Sequence, residues 1–291
     1  MLKTYNELYM TLRKQLRDMG VDACSLEARL LLARAADRTP EKLLADLRLY
    51  SSPEIEARLD ALAQRRFAGE PAAYILGKWE FYGLELTVTP EVLIPRSDTE
   101  VLVDRALELA GDRNAELRIL DLCTGSGCIG CALGHELPQS HVVLTDLSRE
   151  ALRIARQNAH DCGLGARALC VEADVLAAPA PQLGRFDLIV SNPPYIDTAE
   201  IETLDSSVRD YEPRMALDGG VDGLDFYRSI TEKWTALLCP GGWLIFEVGE
   251  TQADAVLALM ERAGLTELGT DEDSGGWRRV VFGRRPTEDM Q

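Results

Sequence analysis

Histidine is nearly missing. The 291 residues contain three, His135, His141 and His160, and they form no motif, which speaks against a histidine-based nucleophile or metal centre. Also missing is any run of about eighteen apolar residues. The start Met1-Leu2-Lys3-Thr4-Tyr5-Asn6-Glu7 has no signal-peptide core, so a soluble, cytoplasmic protein without membrane contact is expected. Positive charge is in deficit, with 31 lysines and arginines against 48 acids and a net charge of −17. So acidic a chain is ill suited to neutralising phosphates, and no direct nucleic-acid binding is expected. The seven cysteines, Cys24, Cys123, Cys128, Cys131, Cys162, Cys170 and Cys239, are odd in number and scattered. Cys128-x-x-Cys131 has the spacing of half a zinc site, but it falls in the first turns of an expected helix and nothing completes it. The thiols read as small buried side chains, and no metal is expected.

The chain changes character after its first quarter. Through Glu70 there are 12 lysines and arginines against 11 acids, so nearly all the excess acid lies beyond, and a change of charge suggests a change of domain. Tyr5, Leu8, Tyr9, Leu12 and Leu16 recur at helical spacing over 4–20, and Leu26, Leu30, Leu31 and Ala35 repeat the pattern over 26–36. A third helix is expected over 40–47, and Pro53 opens a fourth that ends near Gly69. Residues 70–77 break the pattern, and 79–88 alternate around Gly83 as a hairpin. The expected division is a helical bundle over 1–70, a hairpin linker over 71–90 and a larger domain over 91–291. A helix over 99–109 is expected to be capped by Ser97 or Asp98; taken alone, Arg96 beside these acids reads as a cap-region ion pair.

From there strand and helix alternate. Strands are expected over 118–122, 141–145, 168–172, 186–190 and 243–248, and helices over 149–162, 224–238 and 251–263, with a turn at Pro240-Gly241-Gly242. Closing strands near 265–268 and 278–282 should form an antiparallel edge. The fold class is α/β, a doubly wound, mostly parallel, Rossmann-like sheet preceded by a small N-terminal helical bundle. About thirty residues after Tyr195 lack a strong pattern, and loops of that length are more often functional than idle. This one is expected to cover the site.

Arg118-Ile119-Leu120-Asp121-Leu122 leads into Cys123-Thr124-Gly125-Ser126-Gly127-Cys128-Ile129-Gly130, which satisfies G-x-G-x-x-G and opens a helix. Asp146 ends the next strand, where an acid can take both ribose hydroxyls of an adenosine. A dinucleotide would set its pyrophosphate on the helix N-terminus, whereas S-adenosylmethionine carries no phosphate and would lay its methionine part along the loop. Asp121, directly before the loop, suits a cationic cofactor better than a pyrophosphate. Asp174 follows the third strand and either accepts from an adenine amino group or caps a turn.

The fourth strand ends in Ser191-Asn192-Pro193-Pro194-Tyr195. Two prolines stop both strand and helix and remove two backbone donors. What remains is a rigid rim of acceptors, the Asn192 side-chain oxygen and the Asn192 and Pro193 carbonyls, beside the Tyr195 ring. Such a rim suits a planar –NH2 group. An isolated Asn-Pro-Pro reads more readily as a plain turn; the glycine loop upstream favours the acceptor reading and a methyltransferase over an oxidoreductase.

Arg65-Arg66, Gly69-Glu70-Pro71-x-x-Tyr74-Ile75-x-Gly77, Ile94-Pro95-Arg96, Asp121-Leu122-x-Thr124-Gly125-Ser126-Gly127, Ser191-Asn192-Pro193-Pro194-Tyr195-Ile196, Glu212-Pro213 and Pro240-Gly241-Gly242 together resemble the release-factor glutamine methyltransferases of the HemK/PrmC type, over nearly the whole chain. The resemblance implies S-adenosylmethionine as donor, S-adenosylhomocysteine as product, and as acceptor the side-chain amide nitrogen of the glutamine in the Gly-Gly-Gln motif of peptide chain release factors. It implies a cofactor site of Asp121, Cys123, Thr124, Gly125, Ser126, Gly127, Asp146, Leu147, Asp174, Val175 and Asn192. Asn192, Pro193, Pro194 and Tyr195, with Leu93 and Arg96, would hold the glutamine, and Asn192, Pro193 and Tyr195 would carry the transfer. Cys123 stands where the family usually has Gly, Ser97 where it has Pro, and Val175 where some members have Trp. The rival is an adenine-N6 methyltransferase acting on nucleic acid through the same rim, which the acidity of the chain disfavours.

Overall fold

The computed structural model describes residues 2–287, and its contacts divide the chain into two compact units, Met1–Lys78 and Trp79–Gln291. The first is helical. Thr4 caps α1 (Tyr5–Asp18) in a box with Glu7, accepting from Glu7 N while its own N–H donates to the Glu7 carboxylate at 2.7 Å, a reciprocal arrangement that satisfies two orphan donors. α2 (Cys24–Ala35) follows, then α3 (Pro40–Ala45) and α4 (Pro53–Phe67), each opened by a proline behind a Thr39 or Ser52 cap. Leu12, Leu16, Leu31, Leu32, Leu43 and Leu59 form their common core. The segment expected to be irregular contains a further short helix, α5 (Ala72–Leu76), ended by Gly77 at φ 74°, and Ile75 joins the same core. Five residues are too few to display a helical period, which is why the pattern is invisible in the sequence.

A hairpin, β1 (Lys78–Phe81) and β2 (Leu84–Thr87), starts at the last residue of the first unit and opens the second. Its turn residues Tyr82 (φ 52°) and Gly83 (φ 72°) are both left-handed, as a two-residue turn matched to strand twist requires. A 3-10 turn, Ser97–Thr99, leads into α6 (Glu100–Ala110). Neither expected cap is made: Ser97 and Asp98 lie within the 3-10 turn, which leaves Thr99 at the cap position, and no side chain bonds the helix start.

β3 (Arg118–Leu122), α7 (Cys128–Glu136), β4 (His141–Asp146), α8 (Arg149–Asp161), β5 (Ala168–Glu172) and β6 (Phe186–Ser191) then alternate, followed by α9 (Ser206–Arg209), α10 (Asp225–Ser229), β7 (Leu238–Glu247), α11 (Ala253–Arg262), β8 (Thr266–Glu272) and β9 (Arg278–Arg284). The seven-stranded sheet has the order β5-β4-β3-β6-β7-β9-β8. It is parallel from β5 to β7 and antiparallel at β9 and β8, which is the expected doubly wound sheet with an antiparallel edge. Chain order reverses between β3 and β6, so a ligand crevice belongs outside their carboxyl ends. There Leu122 pairs with Ser191, and the Ser191 hydroxyl donates to Leu122 O at 2.8 Å.

Two further expectations need correction. The single helix over 224–238 is α10, a π turn at Ile230–Trp234 and a 3-10 turn at Thr235–Leu237. Thr231 donates back to Tyr227 O and Thr235 to Thr231 O, side-chain bonds that compete with a regular helical ladder. The turn at Pro240-Gly241-Gly242 is absorbed into β7 as an irregularity, the pairing with β6 jumping from Phe186↔Leu238 to Leu188↔Trp243.

Candidate active site

The glycine loop leaves β3 through Cys123, whose φ of 56° lies in the left-handed region. A Cβ built on Gly125 (φ 53°) would meet no protein atom within 4 Å, so the loop presents bare backbone to open space. Gly130 serves packing instead, since a Cβ there would stand 2.2 Å from the Leu144 side chain. Asp121 is fully buried; its Oδ2 accepts from Thr124 Oγ1 at 2.6 Å and from Gly130 N at 3.0 Å, while Oδ1 has no partner. Burial pushes this carboxyl up to about 7, against the pull of the two hydrogen bonds. A buried carboxylate with a spare oxygen at the foot of the loop suits a cationic group.

Asp146, at the end of β4, accepts from Gly125 N through Oδ2 and from Ser148 N through Oδ1, both at 2.9 Å, and burial raises its pKa. It therefore shapes the loop as well as facing the cleft. Asp174 caps a turn, accepting from Leu176 N at 2.8 Å, yet it too lines the cleft, so the two readings of this acid are compatible. Next to it, Val175 O accepts from Ser229 Oγ at 2.7 Å and Trp234 Nε1 at 3.1 Å; the end of α10 and the π turn together clamp this segment.

On the acceptor side, Asn192 Nδ2 donates to Thr99 Oγ1 at 3.4 Å, and the buried Glu247 carboxylate lies close to both side chains. The amide nitrogen is thereby turned inward. Its oxygen is the end left for the cleft that Asn192 lines. The Tyr195 backbone is wrapped by glycines: a Cβ on Gly223 would stand 2.2 Å from Tyr195 O, and one on Gly219 2.7 Å from its Cα. Gln252 Nε2 donates to Tyr195 O at 2.9 Å. Burial holds the Tyr195 hydroxyl well above its ordinary pKa.

The long loop after Tyr195 is ordered by short turns and supplies one wall. Arg96 pairs with the buried Glu212, not with the neighbouring acids of the helix start, and the other Glu212 oxygen accepts from Ile94 N at 3.1 Å. Charge and hydrogen bond together fasten Pro213, Met215 and Ala216 of the loop at the cleft wall.

Cys123, Thr124, Gly125, Ser126, Asp146, Leu147, Asp174 and Val175 thus meet in one cleft with Leu93, Arg96, Asn192 and Pro194. Asp121, Gly127, Pro193 and Tyr195 stand behind its surface and hold those that form it. Sequence reasoning missed Thr99 and Glu247. An acid ending the apolar run Trp243-Leu244-Ile245-Phe246-Glu247 repeats the pattern of Asp121 and Asp146, and that was the available signal. Among the described residues no group of histidines, cysteines and acids could hold a metal ion, and no helix is long and apolar enough to cross a membrane.

A family model described as "Methyltransferase small domain" matches residues 98–208, and one described as "PrmC N-terminal domain" matches residues 7–77. The release factor glutamine methyltransferase of Geobacter sulfurreducens is 45% identical over 272 residues, covering 94% of this chain and 93% of that protein. That of Bradyrhizobium diazoefficiens is 43% identical over 278 residues, with coverage of 94% and 93%. A crystal structure of a methyltransferase from Pyrococcus furiosus matches with a TM-score of 0.50 and 16% identity over 79% of this chain and 98% of that one, a likeness of fold alone.

Proposed function

Since the chain belongs to the release factor glutamine methyltransferase family, we propose that it moves a methyl group from S-adenosylmethionine to the side-chain amide nitrogen of the glutamine in the Gly-Gly-Gln motif of peptide chain release factors. The observation that carries this reading is Asn192, whose amide nitrogen is engaged inside the protein and whose oxygen is left as an acceptor at the switch-point crevice. The bare Gly125 backbone and the Asp146 and Asp174 carboxylates that line the cleft match the methionine part, ribose and amino groups of such a cofactor, with the buried Asp121 carboxylate behind the loop. When bound, it supplies an electrophilic methyl on a sulfonium.

The residues of the chain do the rest by orientation. A primary amide nitrogen is a poor nucleophile because its lone pair is delocalised into the carbonyl. The Asn192 oxygen, with a backbone carbonyl of Asn192 or Pro193, accepts from the two N–H groups and turns the lone pair toward the methyl. The same acceptors stabilise positive charge growing on nitrogen. No strong base is needed before transfer. Seven free cysteines suit a reducing compartment, and the cytoplasm is the place this reading assigns.

Mass spectrometry of a release factor incubated with the protein and S-adenosylmethionine tests the reading. It expects one added methyl on the Gly-Gly-Gln glutamine. Methyl transfer to DNA or RNA adenine, with the release factor left unmodified, would replace it by the nucleic-acid alternative.

A further inference from the structure

We propose that Gln252 is a positioning residue for methyl transfer, pinning the far end of the acceptor rim to the end of the loop that follows it. The inference deepens the glutamine reading and rests on it for its kinetic arm.

A rim that orients an amide must itself be held in place, since a misplacement of about 1 Å can cost about a hundredfold in rate. Pro193 and Pro194 stiffen the segment by fixing φ at two successive residues, so its placement is decided at its two ends. The near end is Ser191, the last residue of β6, tied to Leu122 O through its hydroxyl. The far end is Tyr195, and Gln252 holds it. Gln252 stands between β7 and α11, and its Nε2 donates to Tyr195 O at 2.9 Å and to Gly223 O at 3.2 Å, while its Oε1 accepts from Gly249 N at 3.0 Å. Two carbonyls can only accept and one N–H can only donate, so a single orientation of the amide satisfies all three partners. Turned over, it would set its oxygen against both carbonyls.

The surroundings leave room for this side chain by omitting others. A Cβ on Gly223 would stand 2.5 Å from Gln252 Nε2, and one on Gly249 would stand 2.9 Å from its Oε1 and 3.4 Å from Tyr195 Cδ2. Gly223 ends the loop over 197–223, whose two ends are already closed on each other. Ile196 N donates to Leu217 O at 3.0 Å and Gly219 N to Ile196 O at 2.8 Å, and Asp218 accepts from the Thr198 hydroxyl at 2.6 Å and from Gly220 N at 3.1 Å. The same loop carries Pro213, Met215 and Ala216 to the cleft wall. One amide thus joins the rim and the loop end, from partners 57 and 29 residues earlier in the chain, to the start of α11. Gln252 itself does not line the cleft, so it acts through Tyr195 and Gly223, keeping the rim and the wall at one spacing around the acceptor.

The test uses the full chain and two variants. Gln252→Met keeps the length of the side chain but makes none of the three bonds; Gln252→Glu keeps an acceptor for Gly249 N and loses both donors. At saturating S-adenosylmethionine and release factor, kcat should fall about tenfold in each, with the dissociation constant of the cofactor changed by less than about twofold. A packing role alone would lower the urea midpoint and leave the kcat of the folded protein where it was. A kcat within about twofold of the unaltered protein in either variant overturns the proposal, as does a cofactor affinity that falls as far as kcat. A second arm needs neither substrate nor variant: the side-chain NH2 hydrogens of Gln252 should exchange with solvent at least about a hundredfold more slowly than those of an exposed glutamine. Exchange as fast as that of an exposed glutamine overturns the clamp. If the unaltered protein leaves release factor unmethylated, the glutamine reading fails, while the exchange of these hydrogens still decides whether Gln252 holds the rim. It decides equally if the variants do not fold.

Discussion

Cys123 occupies a left-handed backbone position, φ 56°, which an unbranched side chain tolerates at modest cost and a β-branched one does not. Cys123→Val should lower unfolding free energy by about 2 kcal/mol, read from the urea midpoint, whereas an unchanged midpoint would show the turn to be relaxed. Burial also raises the Cys123 thiol pKa, so the residue shapes the loop and is no nucleophile. Asn192→Ala removes the orienting acceptor; methyl transfer should fall by at least about a hundredfold while cofactor affinity changes much less. Near-normal turnover at saturating substrate would sink the mechanism. Asp121 gives a pH dependence of a different kind. With its carboxyl at about 7, it is largely protonated in mildly acidic solution, and a cationic ligand favours the ionised form. S-adenosylmethionine affinity should therefore rise with pH through neutrality, with proton release below it, and calorimetry in buffers of different ionisation enthalpy checks this. The glycine loop, Asp146 and Asn192 could be read from the sequence because each is a local signal, a spacing or a residue after a strand. Thr99 could not, because its contact with Asn192 exists only where residues far apart in sequence meet; Glu247 left only the faint signal of an acid ending an apolar run.

The elements are held to the site by a few side chains between them. Asn158 on α8 is the clearest case: its Nδ2 donates to Thr87 O at 3.0 Å and Ser126 O at 2.8 Å, and its Oδ1 accepts from Thr87 N at 2.8 Å. One buried amide thus ties the hairpin end to the glycine loop. Asn158→Ala leaves three backbone groups without these bonds and should cost about 3 kcal/mol of stability. S-adenosylmethionine binding should weaken as well; a loss of stability with unchanged affinity would mean the loop holds its shape without the clamp. At this scale the alternation of strand and helix was legible because each element carries its own period. The break of the 224–238 helix into a π turn was not, since Trp234 and Ser229 gain partners in the Asp174–Ala177 region that lies more than fifty residues earlier.

For the molecule as a whole, the cleft belongs to one unit, its lining starting at Glu91, while the Met1–Lys78 unit contributes no residue to it. A glutamine side chain offers few atoms for recognition, so specificity for a protein substrate needs surface beyond the cleft. We propose that the helical unit provides docking surface. A chain beginning at Trp79 should keep its S-adenosylmethionine affinity and lose at least about tenfold in kcat/KM with intact release factor. Undiminished efficiency would place docking elsewhere. Within the catalytic unit, the donor loop starts one residue after Leu122 and the acceptor rim one residue after Ser191, and these two are paired across the sheet and joined by a hydroxyl. On the proposed reading the two reactants would be gripped by neighbouring central strands, the part of such a fold whose amides exchange slowest with solvent. Local openings of the outer loops can admit substrate and release product without loosening the alignment at which the methyl passes.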